Sequence, residues 1–153
     1  MTKPNLLFPT PVWTIQLDNY KSVNELVYKF IKTHQKNDQI YVTGSLGGSA
    51  LGKHYAFLPR LVEARWLAKQ SECSAMMDLT DGLGKDLSIL CPDKCAAKID
   101  LDAIPIASSA HKIAKVSKRK ALEHAMCDGE DYELLFSITG SSDRSKFESR
   151  WAV

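Results

Sequence analysis

Apolar and polar positions along the chain change period several times, and each change marks an element. "SVNELVYKFIKTH", residues 22–34, sets Val23, Leu26, Val27, Phe30 and Ile31 at helical spacing behind Ser22, a good N-cap. "IYVTGSLGGSALGKH" reads as a short strand running into a glycine-rich turn. "PRLVEARWLAKQ" puts Pro59 ahead of an amphipathic helix carrying Leu61, Val62, Ala64, Leu67 and Ala68. "SAMMDL" predicts a strand, and "DGLGKDLSILC" a helix that buries Leu83, Leu87 and Leu90. "AAKIDL", residues 96–101, predicts a further strand before Pro105 breaks the chain. "SSAHKIAKVSKRKALEHAM" is at least partly helical, "YELLFSI" is a strand, and "SSDRSKFESRW" begins a final helix. Strands and helices alternate without a repeat, so the class is α/β or α+β.

Two stretches stand apart from this alternation. "LLFPTPVWTIQL" is extended, because Pro9 and Pro11 forbid a helix there. With the helix after it and the polar "QKNDQ", it forms a leader over residues 1–38, and a seam near 36–39 separates it from a domain over 39–153. That domain stops soon after its last amphipathic element begins, which predicts a truncated unit.

Composition narrows the function classes. The 44% hydrophobic and 25% charged fractions are those of a soluble globular chain, and a net charge of +2 gives no field toward nucleic acid or membrane. No apolar run approaches the ~20 residues of a bilayer span, and the N-terminus lacks a signal-peptide layout, so a cytoplasmic location is expected. Cys73, Cys91, Cys95 and Cys127 form no CxxC pair, and "CPDKC" lacks the partners of a zinc site, so incidental thiols are expected. The basic "HKIAKVSKRK" has no interleaved aromatics and reads as a solvated face.

Three stretches are candidates for chemistry. Gly47, Gly52 and Lys53 match part of a P-loop, but His54 stands where a Ser or Thr hydroxyl is needed for Mg²⁺, and a plain backbone turn is the other reading. Asp78, Thr80 and Asp81 follow an apolar strand at a strand-to-helix junction. One reading makes Asp81 or Thr80 the helix N-cap, which leaves Asp78 without a task. The other gathers all three as hard oxygen ligands around Mg²⁺ and polyphosphate. "CDGEDYELLFSI" sets Asp128, Glu130, Asp131 and Glu133 within six positions ahead of a strand, either as a solvated turn or as a ligand-facing loop shaped by Gly129.

"YVTGSLGGSALG", "MMDLTDGLGKDLSIL", "AKIDLDAIPI" and "DGEDYELLFSI", in this order, resemble the C-terminal half of the thiamine-monophosphate kinase family, in the superfamily named after aminoimidazole ribonucleotide (AIR) synthetase. The resemblance covers residues 39–151. It implies an α+β fold with a mixed sheet covered by helices, and Mg²⁺-dependent transfer of the ATP γ-phosphoryl group to thiamine monophosphate. It also implies magnesium ligands at Asp78 and Asp81, a nucleotide contact at Thr80 where the family has serine, and a substrate contact at Glu130. Asp128 replaces the first glycine of that last motif. The family's N-terminal Gly-Asp-Asp motif, with the aspartates that complete the metal cage, and its C-terminal substrate-stacking aromatic are absent, Trp151 falling too early. The resemblance therefore implies a fragment inactive alone, served by a homodimer or by a separate N-terminal domain, or else a non-catalytic module that keeps the fold and pairs with another chain.

Residues 1–38 resemble the N-terminal edge of a 2-oxoglutarate- and iron-dependent oxygenase family. His34, His54, His111 and His124 are followed two positions on by Lys36, Ala56, Ile113 and Met126, so the His-x-Asp/Glu pair of that chemistry is lacking.

Overall fold

The computed structural model of the chain describes residues 38–91, 95–139 and 144–149. The expected leader, with its helix over 22–34, lies outside the described residues except for Asp38. Among the described residues three strands form one sheet: β1, Gln39–Val42; β2, Cys73–Asp78; and β3, Leu134–Ile138. The spatial order is β1-β3-β2, so the strand latest in sequence is the central one. Both pairings are antiparallel, with Tyr41 and Met76 flanking Phe136. In place of the expected mixed sheet, parallel pairing is found at an isolated bridge between Leu46 and Ile106. A bulge between Cys73 and Ala75 sets Ser74 out of register, and its hydroxyl meets that of Ser137 at 2.8 Å.

Period-two alternation on β3 builds the core on both faces of the sheet. Leu135 packs with Leu79, Leu83, Leu87 and Ala125 on one side. Leu134, Phe136 and Ile138 pack with Leu67 and Phe147 on the other. The helices among the described residues are α1, Leu61–Leu67; α2, Leu83–Leu90; α3, Ser108–Ser117; α4, Ala121–Cys127; and α5, Arg144–Glu148, of which all but α3 supply partners to these two clusters. The stretch 108–126, expected to be at least partly helical, forms α3 and α4, with Lys118 at a φ of 62° turning the chain between them.

The expected strand "AAKIDL" does not form. Residues 95–100 are irregular and lead into a 3-10 turn, Leu101–Ala103, where the Asp100 carboxylate accepts the Asp102 N–H at 3.1 Å. Lys98, Ile99 and Asp100 face β1 across a groove of about 440 Å³. Hydrogen bonding with the strand–turn region comes later, where Leu46 N–H donates to the Pro105 carbonyl and Ala107 N–H to that of Leu46.

Candidate functional site

The junction after β2 and the acidic stretch before β3 meet because the β2–β3 ladder continues past its regular end. Leu79 N–H donates to the Glu133 carbonyl at 2.8 Å, Tyr132 N–H to that of Leu79 at 2.9 Å, and Glu130 N–H to that of Thr80 at 2.7 Å. Leu79 is fully buried between the loops. Gly129 makes the approach possible: it has a φ of +71°, and a Cβ there would stand 2.6 Å from the Thr80 carbonyl oxygen. Glu130 and Tyr132 also hold positive φ, 54° and 52°, a conformation that costs a non-glycine residue free energy.

All four residues singled out in the sequence are exposed at this edge. Asp78 ends β2, Thr80 and Asp81 follow it, and Glu130 lies across from Thr80 through the backbone contact. Among the described residues no group of three or more His, Cys, Asp or Glu side chains is placed to hold a metal ion. Two carboxylates are nonetheless a sufficient protein contribution for Mg²⁺, which keeps waters and takes substrate phosphate oxygens for the rest of its shell. Asp81 is bonded to Lys85 at 2.6 Å, a contact it would exchange on taking a cation, and this pairing holds the Lys85 ammonium above its ordinary range.

Neither Thr80 nor Asp81 caps α2. The N-cap is Gly82, with no side-chain hydrogen bond. The carboxylate that shapes the loop comes from inside the helix: Asp86 Oδ2 accepts the N–H groups of Thr80 at 2.9 Å and Asp81 at 3.0 Å, and Asp86 is 1% exposed. The capping reading therefore passes from Thr80 and Asp81 to Asp86, and both of the former turn their side chains outward.

Two of the four acids in "DGED" and "YEL" are likewise internal. Asp131 Oδ1 accepts the Gly47 N–H at 2.9 Å and lies 3.3 Å from Lys53 Nζ. Glu133 receives Arg60 Nε at 2.7 Å, Arg60 Nη2 at 3.2 Å and the Thr43 hydroxyl at 3.0 Å, with Lys53 Nζ at 3.4 Å. Lys53 also donates to the Ser45 carbonyl. Burial raises the Asp131 carboxyl above its ordinary value, against the opposing pull of Lys53 and the Gly47 N–H, and the hydrogen bonds that Arg60 donates to Glu133 raise the Arg60 guanidinium. Lys53 thus points into the protein, and the glycine turn leads into two 3-10 turns, Ser49–Leu51 and Lys53–Tyr55, where a P-loop has a helix. Asp86, Asp131, Glu133, Lys53 and Arg60 escape a pattern reading because it assigns charged residues to the surface. The signal that could have found the first is its position one turn beyond the glycine that opens a helix.

Comparison with known proteins adds three findings. The model of the family "AIR synthase related protein, C-terminal domain" matches residues 23–143. Thiamine-monophosphate kinase of Rhodopirellula baltica is 37% identical over 120 residues, which cover 78% of this chain and 38% of the kinase. The chain thus spans less than half the length of the curated relatives it matches. Thiamine-monophosphate kinase from Stenotrophomonas maltophilia K279a superposes with a TM-score of 0.61 at 23% identity, over 78% of this chain and 45% of that one. The structure named AaThiL complexed with AMPPCP and TMP gives 0.59 at 22% identity, over 79% and 43%. These two likenesses speak to fold.

Proposed function

The chain belongs to the family of AIR synthase related proteins, C-terminal domain, and from that premise we propose that it carries the C-terminal half of a thiamine-monophosphate kinase site. The reaction of the complete site is transfer of the ATP γ-phosphoryl group to thiamine monophosphate. The observation that supports this most is the bond from Glu130 N–H to the Thr80 carbonyl, which sets the expected substrate contact beside the expected metal and nucleotide residues. Asp78 and Asp81 would hold Mg²⁺, which when bound neutralises phosphate charge as it develops. The Thr80 hydroxyl contacts the nucleotide, and the Glu130 carboxylate, with no ion pair among the described residues, faces the substrate. Asp86 orders the backbone under Thr80 and Asp81 before any ligand arrives, so their alignment costs little at binding. This half-site alone is expected to turn over negligibly.

Isothermal titration of the chain with Mg²⁺ and a non-hydrolysable ATP analogue, and separately with thiamine monophosphate, tests the reading. Magnesium-dependent binding of either ligand, weakened at least about tenfold in Asp78→Asn by loss of a ligand worth 1.4 kcal/mol or more, is the expected result. Binding unaffected by Mg²⁺ and by the substitution would remove Asp78 from the site.

A second reading, a non-catalytic module that pairs with another chain, is favoured by one observation. Tyr55, Leu58, Leu61 and Val62 lie close together in sequence and are exposed, Tyr55 and Leu58 by more than four-fifths.

A further inference from the structure

The ends of α3 and α4 carry a cluster that the proposed kinase chemistry does not use. Ser117 Oγ lies 2.7 Å from His124 Nε2, and His124 Nδ1 lies 2.6 Å from Asp128 Oδ2. A carboxylate has no hydrogen to offer, so Nδ1 carries one and donates it to Asp128. In the neutral ring Nε2 is then an acceptor, and the Ser117 hydroxyl donates to it. The His124 side chain is buried, that of Asp128 is 9% exposed, and Ser117 is half-buried at a surface turn. Arg119 fixes the remaining geometry: its Nη1 donates to Asp128 Oδ1 at 3.0 Å, its Nη2 to the Glu123 carbonyl at 3.1 Å, and its backbone N–H to Ser117 Oγ at 3.2 Å. A hydroxyl, an imidazole and a carboxylate in series, each orienting the one before, is the arrangement that activates a serine.

The residue after the serine adds an independent observation. Lys118 holds a φ of 62°, which turns the chain away immediately behind Ser117. Lys118 itself is exposed and Ser117 half-buried, so the serine oxygen stands at a surface turn where a small substrate can reach it.

We propose that Ser117, His124 and Asp128 form a nucleophilic triad that hydrolyses small activated esters. Ser117 Oγ bonds to the ester carbonyl carbon as its proton passes to His124 Nε2. The bond from that carbon to the leaving oxygen then breaks, and the leaving oxygen takes the proton from His124. Water repeats the sequence, releasing a carboxylic acid and restoring the serine. The exposed Lys115, Lys118 and Lys120 around the turn favour an ester bearing negative charge.

Exposure of the full chain to a fluorophosphonate probe, followed by peptide mass spectrometry, is the test, with p-nitrophenyl acetate hydrolysis run in parallel. An adduct on Ser117 is expected, lost in Ser117→Ala and slowed at least about 100-fold in Asp128→Asn, the scale of general-base assistance. Ser88→Ala, at an exposed serine on α2, keeps the wild-type rate. Melting curves verify that each variant is folded, and Ser117→Ala at its half-buried site removes only a hydroxyl. An adduct elsewhere, labelling no faster than in the urea-unfolded chain, or ester hydrolysis undiminished in folded Ser117→Ala would overturn the proposal.

Discussion

Asp86 reaches back from α2 to take two backbone N–H groups, while Asp78 and Asp81 stay at the surface. Hydrogen bonds to a charged acceptor contribute about 1.5–3 kcal/mol each, and a buried N–H left without a partner costs a comparable amount. Asp86→Ala should therefore lower the unfolding free energy by about 3 kcal/mol, read from urea denaturation. A change below half a kcal/mol would mean the loop holds its shape without this carboxylate. Asp131 makes a prediction of opposite character. Its Oδ2 is buried with no hydrogen-bond partner among the described residues, and burial lifts its carboxyl above the ordinary 3.8. Just above that value the folded chain keeps a proton that the unfolded chain has released. The contribution of Asp131 to stability is thus full below the unfolded value and is lost as pH rises through the folded one. Compared with Asp131→Asn, the wild-type advantage in unfolding free energy should shrink as pH rises above the ordinary carboxyl value of 3.8; an advantage that grows would reverse the assignment.

Among the elements, β3 is the one that joins the other two strands and enters both core clusters. All five of its residues are buried, paired on both edges and packed on both faces. Leu135→Ala should cost about 2–5 kcal/mol, measured as a fall in unfolding free energy, since Leu135 is fully enclosed and its neighbours on α2 and α4 are fixed by their own packing. "YELLFSI" and "SAMMDL" could be read from the chain because their apolar positions meet partners on the sheet faces that those positions predict. "AAKIDL" has the same alternation and no strand to pair with among the described residues, so its period had nothing to act on. Helical periodicity over 108–126 marked α3 and α4 without the break between them, which rests on one backbone angle at Lys118. The site divides along the same line. Exposed Asp78, Thr80, Asp81 and Glu130 stand out by residue type and position in the chain, whereas the pairing of half-buried Lys53 and Arg60 with buried Asp131 and Glu133 rests on contacts 73 to 80 residues apart in sequence.

At the scale of the whole molecule, the glycine turn and α1 are tied to the β3 side by Lys53 and Arg60, and these cations are already paired internally. The surface between them is therefore left mainly to the exposed side chains of Tyr55, Leu58, Leu61 and Val62. A face with its charges met from within associates through apolar contact. Sedimentation velocity should show the chain shifting to a dimer or larger species as concentration rises, and Leu58→Glu with Val62→Glu should return it to a monomer. A monomer at every concentration would count against this face as an interface.

The central position of β3 also bears on how the chain is made. Ribosomes release residues in order, and β1 and β2 emerge with no strand between them. Their ladder partners, Leu134–Ile138, follow some 56 residues after the end of β2, a separation read from Asp78 and Leu134. At roughly 5–20 residues per second this is an interval of several seconds. During it Tyr41, Met76 and Met77 are at the mercy of whatever else is nearby, which makes the nascent chain a natural client for a holding chaperone until β3 clears the exit tunnel.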